Sequence, residues 1–219
     1  AIKTFVNFCN KGDTESAYNM LSDDCKQAVY PSVESFISNY YNVYFNGSKT
    51  VNISAYSSNN LSDVYKVNYM ADALSTGNTS GQALNQDYIY VSSDYKLGIS
   101  GFIKKQSINK TARNQYIVAN VTYSYKYVNH EVYEVNFENL TNADMSIDDV
   151  YGAGHINLID SDNNYYKINT QNYNEGDFSL SPNKAKTIKC VFEYKNIQKE
   201  SVQGIYKLNE SKSLGNDNR

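Results

Sequence analysis

The sequence predicts an α+β fold class: three short N-terminal helices packed on a curved antiparallel sheet, followed by an all-β sandwich. Two observations carry that prediction. From Ile2 to Tyr44 the apolar residues recur at spacings of three and four, the period of a helix with one buried face. From Thr50 onward they alternate, the period of a half-buried strand.

In the first helix Ile2, Phe5, Val6 and Cys9 form one stripe, and Gly12 stands where a helix end favours positive φ. Asp13 can then cap a second helix, roughly Asp13 to Leu21, with Glu15 adding charge favourable to that end. That helix shows Ala17, Met20 and Leu21 to the same core. Ser22-Asp23-Asp24 reads as a polar break. Pro31 and Ser32 open the third helix, whose one side carries Val33, Phe36, Ile37, Tyr40 and Tyr44 and whose end is marked by Asn46-Gly47. Helices this short cannot bury their stripes on one another alone, so a sheet is expected to cover them.

The sheet begins with Val51, Ile53 and Ala55 alternating with Asn52 and Ser54, and turns at Ser57 to Asn60. Tyr65, Val67, Tyr69, Ala71 and Ala73 face one way on a longer strand, Lys66, Asn68 and Asp72 the other. Asp87 to Val91 and then Tyr95, Leu97, Ile99 and Gly101 complete an antiparallel meander with one helix-covered face. Lys104 to Lys110 is polar, which places a domain boundary there: a first domain over 1–105, a linker over 106–112, a second domain over 113–210 and a flexible tail over 211–219. Limited proteolysis is expected to cut between Lys104 and Arg113.

Beyond the linker the helical period disappears. Ile117, Ala119, Val121, Tyr123 and Tyr125 alternate with polar or smaller residues, and Val128-Asn129-His130 turns into Tyr133, Val135 and Phe137. Ile156 and Leu158 lead through Asp160 to Asn164 into Tyr165 to Ile168. Ser181-Pro182-Asn183 precedes Ile188, Cys190, Phe192 and Tyr194, with a final strand near Ile205 to Leu208. Short strands at turn-punctuated intervals point to a β-sandwich.

Composition narrows the function classes. Of 219 residues, 41% are hydrophobic and 20% charged, the range of an ordinary globular chain. Net charge is −3 and no Lys/Arg cluster makes a nucleic-acid footprint, so nucleic acid and acidic membranes are poor partners. No apolar run reaches the roughly 20 residues of a membrane span. The chain begins inside a helical pattern, so a preceding signal, lipid anchor or membrane helix is expected. The 22 tyrosines read either as an amphipathic contact surface or as the codon bias that also enriches Asn, Ile and Lys; the absence of Trp weakens a carbohydrate-binding reading. Cys9, Cys25 and Cys190 have no metal-ligand spacing and read as buried small hydrophobes.

The helix, the Asn10-Lys11-Gly12-Asp13 turn, the short helix with Ala17-Tyr18, and Pro31-Ser32-Val33-Glu34-Ser35-Phe36 before long strands resemble the nuclear-transport-factor-2-like cone over residues 1–105. The versions it is most similar to lie outside the membrane of Gram-positive bacteria. The second half resembles an immunoglobulin-like, telokin-like domain of extracellular lipoproteins, through Val135-Asn136-Phe137-Glu138-Asn139-Leu140-Thr141, Ile159 to Tyr166, and Leu180-Ser181-Pro182-Asn183-Lys184. The resemblance implies an immunoglobulin-like sandwich and an extracellular or cell-surface location.

No enzyme constellation stands out. Enzymes of the cone family use a His–Asp dyad or Asp with Tyr, and both histidines, His130 and His155, lie in the second half, where each reads as a surface residue. Asp72 has an isomerase-like location but shares parity with Lys66 and Asn68, which puts it on the polar face. Asp160, Asp162 and Asn164 have the alternate spacing of a calcium loop, yet Tyr165 and Gln171 stand where its Gly and Glu belong, so a hairpin turn is the better reading. A ligand pocket, if open, would be lined by Phe36, Tyr40, Tyr65, Tyr69 and Tyr88; the alternative is a filled core. The expected function is a non-enzymatic, extracytoplasmic binding or scaffolding module, without cofactor or metal, that meets a protein partner or itself. The alternative is a small-molecule-binding or isomerase-type domain with a β accessory domain.

Overall fold

The computed structural model describes two compact units, the first made of residues 1–56, 63–71, 83–106 and 125–130, the second of residues 107–124, 131–148, 156–159, 163–174 and 176–193. The expected fold class is overturned. Strands take up 48% and helices 22% of the described residues, so the chain is mainly β, and its strands form several antiparallel sheets in place of one sheet under three helices and an immunoglobulin-like sandwich.

The N-terminal helices are more numerous and shorter than predicted. They are α1 (Ile2–Asn10), α2 (Thr14–Asn19), α3 (Asp23–Ala28), α4 (Val33–Phe36) and α5 (Asn42–Tyr44), the last two joined by a π-helical turn over Ile37–Tyr41. The polar break at Ser22-Asp23-Asp24 is in fact a start. Ser22 Oγ accepts a hydrogen bond from Cys25 N at 3.1 Å, and the two aspartates occupy the first turn of α3, where the helix dipole favours negative charge. Residue types that interrupt a helix are the same ones that cap the next. Ile2, Phe5, Val6 and Cys9 are buried on α1, and Gly12 takes a φ of 72°.

In the first unit β1 (Lys49–Ala55), β2 (Val64–Ala71), β3 (Ala83–Val91) and β4 (Leu97–Gly98) are hydrogen-bonded in that order. The fourth strand is much shorter than the Tyr95 to Gly101 alternation implies. Leu97 N donates to Met20 O and Ser22 N to Leu97 O, so the segment between α2 and α3 occupies the edge that a longer β4 would offer. An aromatic core fills the space between helices and sheet: Phe5 meets Phe36, Tyr40 and Phe45 at ring distances of 6.2, 6.0 and 6.4 Å, and Phe45 meets Tyr69 at 5.4 Å.

The strands β5 (Phe102–Arg113), β6 (Ile117–Tyr127), β7 (His130–Asn139) and β12 (Ala185–Glu193) form a sheet of order β12-β7-β6-β5. Two ribbons accompany it, β9 (Asn157–Ile159) with β10 (Tyr165–Lys167) and β8 (Met145–Ser146) with β11 (Ser179–Leu180). Residues 106–112, read from sequence as a linker, are therefore strand, and the unit boundary falls inside β5 between Gln106 and Ser107. Their polarity has another cause: β5 is one of the two outer strands of this sheet and most of its side chains are solvated. The second unit's core joins Ile117, Ala119 and Val121 of β6, Tyr133, Val135 and Phe137 of β7, and Ile188, Cys190 and Phe192 of β12. The strand expected near Ile205 to Leu208 and the tail over 211–219 lie outside the described residues.

Candidate functional site

Asp87 of β3 is a carboxylate held inside the first unit. Alternation along β3 puts it on the same face as Ile89, and cross-strand pairing sets it opposite Val67 of β2; it is 4% exposed. Tyr69, two residues along β2 from Val67, projects from that same face and is fully buried. The π-helical turn brings the third member, Tyr40, down from the helical layer. Such a turn widens the helix locally and shifts the side chains beyond it around the axis.

The three side chains form one chain of hydrogen bonds. Tyr40 Oη donates to Asp87 Oδ2 at 2.8 Å, so the 2.8 Å contact between the two hydroxyls is a donation from Tyr69 to Tyr40. Main chain completes the carboxylate's partners: Ser100 N donates to Oδ2 at 3.1 Å and Tyr88 N to Oδ1 at 2.7 Å. Ser100 holds a φ of 57°, in the left-handed region, and its Oγ meets Tyr30 Oη at 2.7 Å. The turn after β4 is thus bent to aim an N–H at Asp87.

Burial pushes the Asp87 carboxyl up to about 6, against the lowering effect of its bonds from Ser100, Tyr40 and Tyr88. Tyr40 and Tyr69 are pushed well above the usual phenol range, first by burial and then by the Asp87 charge. Tyr30 and Tyr44 are raised for the same two reasons. The cluster can exchange one proton on Asp87 in mildly acidic conditions, around pH 6, and keeps its phenols protonated.

Of the five residues expected to line a pocket, Phe36, Tyr40 and Tyr69 are brought together around this chain, with Phe36 stacked on Tyr40 at 5.7 Å. Tyr65 lies half-buried on the same face of β2, where it pairs with Ile89. Tyr88 belongs elsewhere. Next to Asp87 in sequence, it necessarily points to the other face, where it packs on Tyr56 at 4.8 Å and joins Val64, Ile103 and Val128. Sequence reasoning missed Asp87, although its even spacing from Ile89 was the signal that could have found it.

Asp72, His155, Asp160 and Asp162 lie outside the described residues, and Asn164 is exposed. His130, expected at the surface, is half-buried with its ring stacked on Tyr127 at 4.2 Å. In the second unit a smaller buried pair occurs on β7, where Tyr133 Oη donates to Glu131 Oε2 at 2.7 Å. Cys9, Cys25 and Cys190 are buried with free thiols, each pushed up to about 12 chiefly by that burial. Among the described residues no group of three or more His, Cys, Asp or Glu side chains is placed to hold a metal ion, and no helix is long and apolar enough to cross a membrane.

No protein-family model matches the chain, and no curated protein matches it. Among solved structures, the chain is similar to a conserved hypothetical protein from Bacillus anthracis, at 15% identity and a TM-score of 0.31, over 40% of this chain and 78% of that one.

Proposed function

We infer that this chain is a non-enzymatic binding or scaffolding protein that works outside the cytoplasm at a bacterial cell surface and meets a protein partner there. One observation carries the non-enzymatic part. Both oxygens of Asp87 are occupied by donors of its own chain, and the side chain is 4% exposed, whereas a general base must reach a proton on its substrate. On this reading the Tyr69–Tyr40–Asp87 chain fixes the helical layer to the sheet. Exposed aromatic surface supports the binding part: Tyr95 is 73% exposed in a turn braced by a main-chain bond from Tyr95 to Ser92. The cell-surface location rests on the sequence resemblance, and antibody labelling of intact against lysed source cells tests it.

A second reading, a small-molecule-binding or isomerase-type site, is favoured by the raised Asp87 carboxyl beside two tyrosines, a pairing suited to moving a proton in mildly acidic conditions. Proton exchange separates the two. Enolisable ketones in deuterated buffer are expected to exchange their α-protons no faster with the protein than without it. Exchange that the protein accelerates and that Asp87→Asn abolishes would overturn the non-enzymatic reading.

A further inference from the structure

We propose that the outer edge of β1 is a self-association site, at which two copies of this chain join their sheets through antiparallel pairing of β1 with β1 about a twofold axis at Ile53. This pairing is independent of the binding role above.

Parity along β1 defines what that edge offers. Tyr56 N donates to Val64 O, so the even-numbered residues of β1 direct their main-chain groups toward β2 and the odd-numbered ones direct theirs away. Lys49 confirms the parity: its N–H donates to Asn10 Oδ1 at 2.9 Å and its carbonyl accepts from Asn10 Nδ2 at 2.8 Å. A side-chain amide of α1 thereby closes the edge at its first residue in the manner of a neighbouring strand. Val51, Ile53 and Ala55 continue the outward row, and among the described residues none pairs with them.

β1 and β5, each the outer strand of its sheet on one side, are treated differently. β5 carries Lys104, Lys105, Lys110 and Arg113, and Asn109 breaks its regularity with a φ of 50°. Charges and local kinks of that kind discourage edge-to-edge pairing. β1 has neither. Thr50 to Ala55 holds no charge, no Pro and no Gly, and its register with β2 is unbroken from Lys49 to Ala55. The ammonium of Lys49 is turned inward onto Asn46 O.

A second copy is the occupant that suits this row. With Ile53 opposite Ile53 of the second copy, Val51 falls opposite Ala55, and every N–H and C=O of Val51, Ile53 and Ala55 finds a partner. On the other face Asn52 meets Ser54, polar against polar. Nothing in the strand brings like charges together, which is the requirement a self-paired surface has to meet.

The test is sedimentation of the full chain over a range of concentrations. The unaltered protein is expected to show a reversible monomer–dimer equilibrium. Asn52→Glu with Ser54→Glu sets acid against acid at both cross-strand pairs and is expected to weaken the dimer about tenfold. The monomer tolerates these changes, because Asn52 and Ser54 are exposed and face Asn68 and Lys66 within the sheet; an unchanged melting profile at high dilution verifies it. Asn52→Lys with Ser54→Glu places opposite charges across the same two pairs and is expected to restore the dimer. A protein that stays monomeric up to sub-millimolar concentration overturns the proposal, whether or not it takes up an unrelated extended peptide. So does a dimer indifferent to the acidic pair.

Discussion

The hydroxyl of Tyr40 donates to Oδ2 of Asp87 across 2.8 Å, tying the π-helical turn to the sheet through a group that is itself buried from water. The bond cannot be replaced by solvent, because both partners are sealed. Tyr40→Phe removes the donor to Asp87 and the acceptor for Tyr69 at once, while keeping the ring stacks on Phe36 and Tyr44. The expected loss is about 2 kcal/mol, the usual penalty for leaving a buried polar group unpaired. Tyr69→Phe loses only the terminal donor and should cost less. Denaturant midpoints of the two variants, compared at equal slope, check the order.

Asp87 also makes stability depend on pH with a sign opposite to that of most carboxylates. Its folded-state carboxyl is raised to about 6 from an ordinary 3.8, so between those values the folded chain binds a proton that the unfolded chain has released. Stability from this group is fully present below about 3.8 and is lost as pH rises to about 6. A rise of that size corresponds to roughly 3 kcal/mol. Exposed Asp13, Glu34 and Asp94 are displaced the other way by their hydrogen bonds. The measurement is therefore the difference between the unaltered chain and Asp87→Asn, whose neutral amide cannot titrate. That difference should change by this amount between about pH 4 and 7 and stay flat above it.

These two residues show what the sequence can and cannot reveal. The stripe through Phe36, Tyr40 and Tyr44 is legible because helical spacing records which face is buried, and the outcome holds even though a π turn interrupts the helix. The parity of β3 equally places Asp87 beside Ile89, but an acidic residue in an alternating strand is assumed to face water until its donors are known. Those donors come from Ser100 and Tyr40, 13 and 47 residues away, and no local pattern records them. Pairing is hidden for a related reason. Period two identifies the long strands β6, β7 and β12, yet it is silent on partners, so short segments that form ribbons read as a sandwich. Polarity misleads at Ser22 and at residues 106–112, because it marks a helix cap or a solvated outer strand as readily as a break or a linker.

Tyr95 holds a φ of 63° and is 73% exposed, so the turn bears left-handed strain without a packing return. Tyr95→Gly removes the Cβ that makes this conformation unfavourable and keeps the Tyr95 N to Ser92 O bond at 2.9 Å. The variant should be more stable by about 1 kcal/mol. Should Tyr95 be a contact residue for the partner, the same variant will bind that partner more weakly while melting higher, and the two readouts together show whether the strain serves recognition.

The three thiols give a test of burial that spans both units. Cys9 and Cys25 are 1% and 0% exposed in the first, Cys190 is 0% exposed in the second, and the pKa of each is raised to about 12 chiefly by that burial. A thiol reagent needs both access and a thiolate, and the folded protein withholds both. At about pH 8, close to the ordinary thiol pKa, an aromatic disulfide reagent should therefore modify none of the three in the folded chain and all three in denaturant. Where modification is seen without denaturant, its rate should follow the opening of the unit concerned, with Cys190 reacting on a different time course from Cys9 and Cys25. A single rate for all three would mean that both units open together.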